Sequence, residues 1–526
     1  MMHLVATIAA FAATLAAQTP STGVIRGKVS FLGPAPARNA LVVDVNTEVC
    51  AAHGATMGED LLVSPDQGLA NAVVFLAGIT ERKPLRRSGQ LDQRGCVFVP
   101  HMQAMTLGSE LVIGNDDPVV HNVHGRVGGD TVFNLGMPIK GLHIKRKLKV
   151  PGVTALSCDS GHTWMQAYIV VVPHSYHSTS DAGGQFTISG VSPGSYTLRA
   201  WHERLGSVDV AVKVEAGKET VIALEYPATR APSEALPPLS FSVDTPVAMP
   251  EETPGRGSET PTIEPSPSPG LSSGEEMLAA AAVDPELDRA PRIARRDADI
   301  ARGRGSYLRH CASCHGDAGD GQGEAARFLR SRPRDFTRGE LEFRSTRSGE
   351  PALEEDIVRT ISLGLPGTDM RAFAAVLPPS ERHILARYVM SFSDRYLRAA
   401  PAVAVPIPPE PKSDAASAAR GKQLWERLKC AQCHGADGRA GGVSRRLVDD
   451  WGQPIRAADL SRGVYKSGTS GKDLYRSLAT GLSGTPMPAF VDLISAEEIW
   501  DLVHHVQSLA EARGFFDWLG RPAREP

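Results

Sequence analysis

Cys311-Ala-Ser-Cys314-His315 and Cys430-Ala-Gln-Cys433-His434 both read C-x-x-C-H, and these two pentapeptides govern how the 526-residue chain is understood. The spacing has a chemical reason. Two thiols add to the two vinyl groups on one edge of a porphyrin, and two intervening residues let the backbone span that edge. The adjacent histidine then lies under the ring and ligates the iron. A zinc site shared by the two pairs would have to close over the 116-residue gap from Cys314 to Cys430 and would leave each trailing histidine without a purpose. A thioredoxin-like pair would need βαβ surroundings, which the flanks lack. The sequence therefore predicts two covalently bound haem c groups, on Cys311, Cys314, Cys430 and Cys433, with His315 and His434 as iron ligands.

The motifs sit in a repeat. RHCASCHGDAGDGQG at 309–323 matches KCAQCHGADGRAGG at 429–442, and LGLPGTDMRAF at 363–373 matches TGLSGTPMPAF at 480–490. The offset is 119 residues at the cysteines and 117 at the methionines, so two copies of one domain of roughly 100 residues are present. Each opens with a helix before its cysteines and closes with another. The last helix starts at a capping box, Ser495-Ala-Glu-Glu498, followed by Ile499, Leu502, Val503 and Val506 at helical spacing.

Over about 295–395 and 416–515 the chain resembles class I cytochrome c twice. In that family the methionine of a GTxMPxF-like loop is the distal ligand. Gly484-Thr-Pro-Met487-Pro-Ala-Phe490 fits fully, and Gly367-Thr-Asp-Met370-Arg-Ala-Phe373 departs at Arg371. The resemblance implies Met370 and Met487 as sixth iron ligands, the alternative for any lone methionine being core packing. Met/His ligation closes both axial positions and raises the potential, which suits electron transfer rather than oxygen activation. Arginines are dense around the first motif (Arg327, Arg330, Arg332, Arg334, Arg338, Arg344, Arg347), as a solvated surface, propionate partners or a docking face.

The N-terminal half reads as β structure. Ile25, Gly27, Val29 and Phe31 alternate with Arg26, Lys28 and Ser30; Val208, Val210, Val212 and Val214 alternate with Asp209 and Lys213. Around 143–150 one face is mostly apolar (Ile144, Leu148, Val150, with Arg146). The other is basic, either solvated or docking an acidic partner. SDAGGQFTISGVSPGSYTLRAWHE resembles the carboxypeptidase regulatory-like (transthyretin-like) sandwich, which implies a structural role and no protease activity.

Asn115-Asp-Asp-Pro118-Val-Val-His121-Asn122-Val-His124-Gly125 is followed by Cys158-Asp-Ser-Gly-His162-Thr-Trp-Met165 and an apolar strand. This order of His, Cys, His and Met resembles a cupredoxin, whose copper takes two imidazoles and a thiolate in a plane with a long axial thioether. The resemblance implies His121, Cys158, His162 and Met165. Residues three apart on a strand face opposite ways, and His121 shares its face with Val119 and Val123, so His121 is preferred to His124. Three residues separate Cys158 from His162 and two separate His162 from Met165, a departure from the plastocyanin spacing. A copper ion, another metal and a purely structural cluster all remain open. Of the seven cysteines, four take haem, Cys158 is left single, and Cys50 and Cys96 are either a disulfide or two free buried thiols. His101, His143, His174 and His177 read as surface or loop residues.

Composition bounds the rest. Hydrophobic residues are 42% and charged residues 22%, a globular mix, and a net charge of -3 gives no reason to expect nucleic acid as a partner. No apolar run reaches the ~18 residues of a transmembrane anchor. Residues 1–17 read as a signal peptide, whose apolar run of 14, Leu4 to Ala17, ends in small residues. The expected order is a cupredoxin-like domain at 18–173, the second β-sandwich at 174–227, a Pro/Ser/Glu-rich disordered linker at 228–290, cytochrome c domain 1 at 291–398, a Pro-rich linker at 399–415 and cytochrome c domain 2 at 416–526. The fold class is multidomain, an all-β half followed by two all-α domains. The expected role is a periplasmic electron carrier between other redox proteins, its centres tethered without fixed orientation. The alternatives are a copper-containing oxidoreductase fed by the haems, and a metal-free β docking module carrying two cytochromes.

Overall fold

The computed structural model describes residues 22–227 apart from 53–55, 80, 82 and 83, then 239, 289–398, 402–440 and 447–511. The expected signal peptide lies outside these residues, as does nearly all of the expected linker at 228–290.

Among the described residues the β half contains sixteen strands: β1 (Gly23–Leu32), β2 (Val73–Ala77), β3 (Gly89–Gln93), β4 (Phe98–Val99), β5 (Met102–Thr106), β6 (Glu110–Asn115), β7 (His121–Val127), β8 (Asp130–Met137), β9 (Leu142–Lys147), β10 (Gly152–Ser157), β11 (Gln166–Val172), β12 (His177–Thr179), β13 (Gln185–Val191), β14 (Gly194–His202), β15 (Gly206–Val214) and β16 (Glu219–Pro227). A single helical turn, α1 (Thr47–Cys50), precedes β2. Four sheets form two sandwiches. One pairs sheet β13-β1-β16 with sheet β12-β2-β14-β15; the other pairs β4-β3-β6-β9 with β5-β11-β10-β7-β8.

This arrangement corrects the expected boundary at residue 173. β1 runs parallel to β16 and antiparallel to β13, and β2 is antiparallel to β14. The chain therefore begins one sandwich, leaves it for β3 to β11, and returns to complete it with β12 to β16. Period-2 alternation identifies a strand and its buried face, but a strand's partner depends on distant residues. Each sandwich has its own core. Ile25, Val74, Phe186, Leu198 and Tyr226 fill the first; Leu91, Phe98, Ile113, Val123, Leu135, Leu156 and Ile169 fill the second. A smaller cluster, including Phe75, Met102, Val170 and Trp201, draws on strands of both sandwiches.

The C-terminal half is helical. Its helices are α2 (Arg289–His310), α3 (Ala312–His315), α4 (Glu354–Leu363), α5 (Pro379–Met390), α6 (Arg395–Arg398), α7 (Ala415–Arg427), α8 (Ala431–His434), α9 (Gly471–Thr480) and α10 (Ala496–Glu511). In both repeats the opening helix crosses the closing one at a glycine. A methyl group on Gly303 of α2 would fall 2.6 Å from the Tyr388 Cβ of α5, and one on Gly421 of α7 would fall 2.0 Å from the Asp501 carbonyl oxygen of α10. The two crossings depend on these missing side chains. The capping box at α10 forms as expected: the Ser495 amide donates to Glu498 Oε2 at 2.9 Å, and the Glu498 amide donates to Ser495 Oγ at 3.2 Å.

The chain divides into two compact units. Among the described residues, one unit contains the β half, Ser345–Glu350 and the chain from Val403 onward; the other contains 289–344 and 351–402. The second cytochrome repeat thus packs on the β half, and the expected free tether does not apply to it. β8 meets its methionine loop through a parallel bridge between Leu135 and Ala489, and a methyl group on Gly136 would come within 3.0 Å of the Pro488 Cγ. Arg126 pairs with Asp450 at 2.6 Å and Arg146 with Asp492 at 3.2 Å. The face around 143–150 therefore turns its arginine to an acidic residue of its own chain, while Lys145 pairs with Glu110 on the neighbouring strand. Among the described residues, no helix is long and apolar enough to cross a membrane.

Candidate functional site

Both C-x-x-C-H motifs form a short turn directly after a longer helix. The Cys311 amide donates to the Tyr307 carbonyl at 2.8 Å and the Cys430 amide to the Trp425 carbonyl at 3.0 Å. Gly316 and Gly435, at φ 77° and 78°, then turn the chain away where a side chain would be strained. The four cysteines carry no disulfide and are half-buried. Burial pushes the Cys311 thiol up to about 11 and the Cys430 thiol up to about 12.

The histidines are oriented alike. His315 Nδ1 lies 3.1 Å from the Arg334 carbonyl oxygen and His434 Nδ1 lies 3.1 Å from the Ala458 carbonyl oxygen. A carbonyl can only accept, so Nδ1 carries the proton and Nε2 presents its lone pair. Burial lowers the pKa of both rings, which favours the neutral form that binds metal.

The two methionine loops share one hydrogen-bond pattern. The Leu365 amide donates to the Met370 carbonyl at 2.9 Å, and the Leu482 amide to the Met487 carbonyl at 3.1 Å. Thr368 and Thr485 hydroxyls each accept from the methionine amide at 3.2 Å. Each hydroxyl also donates back to the carbonyl three residues earlier, at 2.8 and 2.9 Å. Arg371 does not disturb the first loop. Met370 and Cys311 border one helical core, and Met487 and Cys430 border the other.

The β half brings His121, Cys158 and His162 together. His121 Nδ1 is 3.2 Å from His162 Nδ1, Cys158 Sγ is 3.6 Å from His162 Nδ1, and Cys158 Sγ is 4.0 Å from His121 Nδ1. A point equidistant from the three atoms lies about 2.1 Å from each, close to ordinary metal–imidazole and metal–thiolate bond lengths of about 2.0–2.3 Å. All three residues are buried, as is Met165. His121 Nε2 donates to Asp117 Oδ2 at 2.9 Å, and His162 Nε2 donates to Asn46 Oδ1 at 3.0 Å. In the neutral tautomers each Nδ1 then presents a lone pair, and the two face each other beside a sulfur. Such a set repels itself unless a cation or a proton sits within it, so these residues fit a copper-type site. Burial pushes the Cys158 thiol up to about 11 and the His162 ring down to about 4.

His124 is equally buried, but it bonds Asp159 at 2.6 Å and Thr131 at 2.8 Å and stays out of the cluster. Cys50 and Cys96 form a disulfide, and their sulfurs lie within 4.8 Å of a ring nitrogen of His162. Two orienting residues escaped the sequence reading. Asp117 stands four residues before His121, a legible spacing; Asn46 is remote in sequence and gave no signal. Of the histidines expected at surface or loop positions, His101 and His174 lie in loops, the first partly buried and the second fully so. His174 is packed under β2, bonding the Leu76 carbonyl at 2.8 Å, and His101 pairs with Glu203.

Helix–turn–helix packing around C-x-x-C-H with a paired methionine loop defines the cytochrome c class. The family described as cytochrome C oxidase, cbb3-type, subunit III matches residues 298–389 and 416–506, so the C-terminal half carries cytochrome c domains of that kind. The family described as polysaccharide lyase family 4, domain II, an fn3-like module, matches residues 150–222. No curated protein matches the chain. Among solved structures, a chain of the Kuenenia stuttgartiensis reducing HAO-like protein complex is 38% identical, with a TM-score of 0.39, over 40% of this chain and 95% of that one. A purple cupredoxin from Nitrosopumilus maritimus is 22% identical, with a TM-score of 0.15, over 16% of this chain and 99% of that one. Amicyanin from Paracoccus versutus is 14% identical, with a TM-score of 0.15, over 22% of this chain and 100% of that one.

Proposed function

We propose that the chain is a periplasmic dihaem c-type cytochrome that carries electrons between redox partners and holds an additional copper centre. Cys311 and Cys314 would bind one haem and Cys430 and Cys433 the other, with His315 and Met370, and His434 and Met487, on the irons. His121, Cys158, His162 and Met165 would hold copper. Both kinds of centre supply one-electron chemistry with no bond made or broken to substrate.

The chain's own residues prepare these centres. The Arg334 and Ala458 carbonyls fix the imidazole tautomers. The Thr368 and Thr485 hydroxyls fix the methionine loops. Asp117 and Asn46 aim two ring nitrogens at Cys158. A fully ligated, buried centre changes little on gaining an electron, which favours transfer over substrate binding. The fn3-like sandwich, read as transthyretin-like, would act as a platform.

The observation that carries this reading is the repetition, in two domains, of the same oriented histidine after C-x-x-C and the same bonded methionine loop. The experiment is a denaturing gel of boiled, purified protein stained for haem peroxidase activity, with haem and copper counted per chain. Colour comigrating with the polypeptide and two haems per chain are expected. A colourless band refutes the reading.

A further inference from the structure

The β half and the second cytochrome repeat form one unit, and a continuous hydrogen-bonded chain links their two sites. The Asn122 amide donates to Cys158 Sγ at 3.3 Å. Asn122 Nδ2 donates to Asn134 Oδ1 at 2.6 Å. Asn134 Nδ2 donates to the Thr485 carbonyl oxygen at 3.2 Å. The Met487 amide closes the chain on Thr485 Oγ1 at 3.2 Å. Asn122 sits on β7 beside His121, and Asn134 lies on the paired strand β8.

We propose that Asn122, Asn134 and Thr485 form the route along which single electrons pass between the Cys158 centre and the Met487 centre. Both asparagines are at most 5% exposed. A buried amide is costly unless both ends are bonded, and an apolar pair would fill this space at less risk. Here each amide is used at both ends: the Asn122 Oδ1 accepts from the Asp159 amide, which also fixes the loop after Cys158. Gly136 lets Pro488 approach the strand. The inference rests on the reading of the two sites as copper and haem centres. One electron leaves one centre, which is oxidised by one, and reduces the other by one. No covalent bond changes and no proton moves, because every donor in the chain keeps its hydrogen.

The test uses the full chain with its cofactors, as wild type, Asn134→Leu and Arg146→Met. A substoichiometric pulse of photogenerated flavin semiquinone reduces the protein, and re-equilibration between the thiolate-to-copper and haem absorption bands is followed. Haem and copper content and resting spectra are recorded for each sample. Asn134→Leu should keep both contents and spectra while its internal relaxation slows several-fold. Arg146→Met breaks an ion pair at the same interface without touching the amides and should relax as wild type does. Where leucine disrupts folding, Asn134→Asp keeps the shape, loses the donor to Thr485 and should slow relaxation likewise. Wild-type relaxation in the Asn134 variants, or equal slowing in Arg146→Met, overturns the route. Wild-type protein lacking copper or the second haem instead overturns the parent reading, and the content measurement alone reveals it.

Discussion

Arg126 on β7 reaches Asp450 of the second cytochrome repeat at 2.6 Å, and the Asp450 side chain is only 3% exposed. Thr131 also donates to it, at 3.2 Å. Breaking one member of a buried pair strands the other charge. Arg126→Ala, which strands the buried Asp450 carboxylate, should therefore destabilise the protein by about 3 kcal/mol, read from the shift in denaturant midpoint. The double variant Arg126→Ala/Asp450→Ala should recover part of that loss. Equal loss in single and double variants would show that the pair does not couple the two domains.

Met370→Ala and Met487→Ala should each open one iron to added imidazole and lower its potential, because a sulfur ligand that favours the ferrous state is gone. The Thr368 and Thr485 bonds to the methionine amides remain, so the loops should hold their shape. Optical titration with imidazole checks this. A variant that binds no added ligand at an unchanged potential would exclude that methionine from the iron.

Asp117→Asn should weaken copper retention about 10- to 100-fold, the usual effect of losing a residue that orients a metal-bound histidine. His121→Ala should abolish it. Copper content after dialysis against a graded chelator separates the two outcomes, and full retention in His121→Ala would refute the ligand assignment.

The cytochrome c repeats could be read from the sequence because their signals are local. C-x-x-C-H, the methionine loop and the Ser495 capping box each lie within a few residues. The Cys158–His162–Met165 arm was visible for the same reason. What was hidden depends on contacts across long separations. β1 alternates like any half-buried strand, yet its parallel partner β16 lies about 195 residues on. The need for glycine at positions 303 and 421 comes from the helices crossing there, far along the chain. Nothing local to Asn122 or Asn134 tells of their pairing, and only the docked loop at Thr485 shows why their amides are buried.

The disulfide between Cys50 and Cys96 closes a separation of 46 residues. In the chain-entropy account such a loop is worth about 4 kcal/mol. The double variant Cys50→Ser/Cys96→Ser should lose stability of that order in denaturant unfolding. Thiol titration of unfolded, unreduced protein carrying both haems should find one reactive thiol, that of Cys158. Three thiols would mean that the bond does not form.

His101 and Glu203 give the β half a pH-dependent clasp. Burial alone would lower the His101 pKa; the Glu203 carboxylate bonded to Nε2 outweighs it, and the net shift is upward. The Glu59 carboxylate pushes in the same direction, while the two other rings beside His101 stay neutral in the relevant window. Tyr168 is pushed far up by burial, and burial holds His202 down at about 3. A folded pKa above the unfolded value of about 6.5 means that the imidazolium stabilises fully below that value. The contribution is lost as pH rises through the raised folded pKa. The urea midpoint should thus decline on the alkaline side of about pH 6.5. His101→Gln should be less stable in mild acid and should flatten this part of the profile. An unchanged slope in the variant would assign the decline to another group.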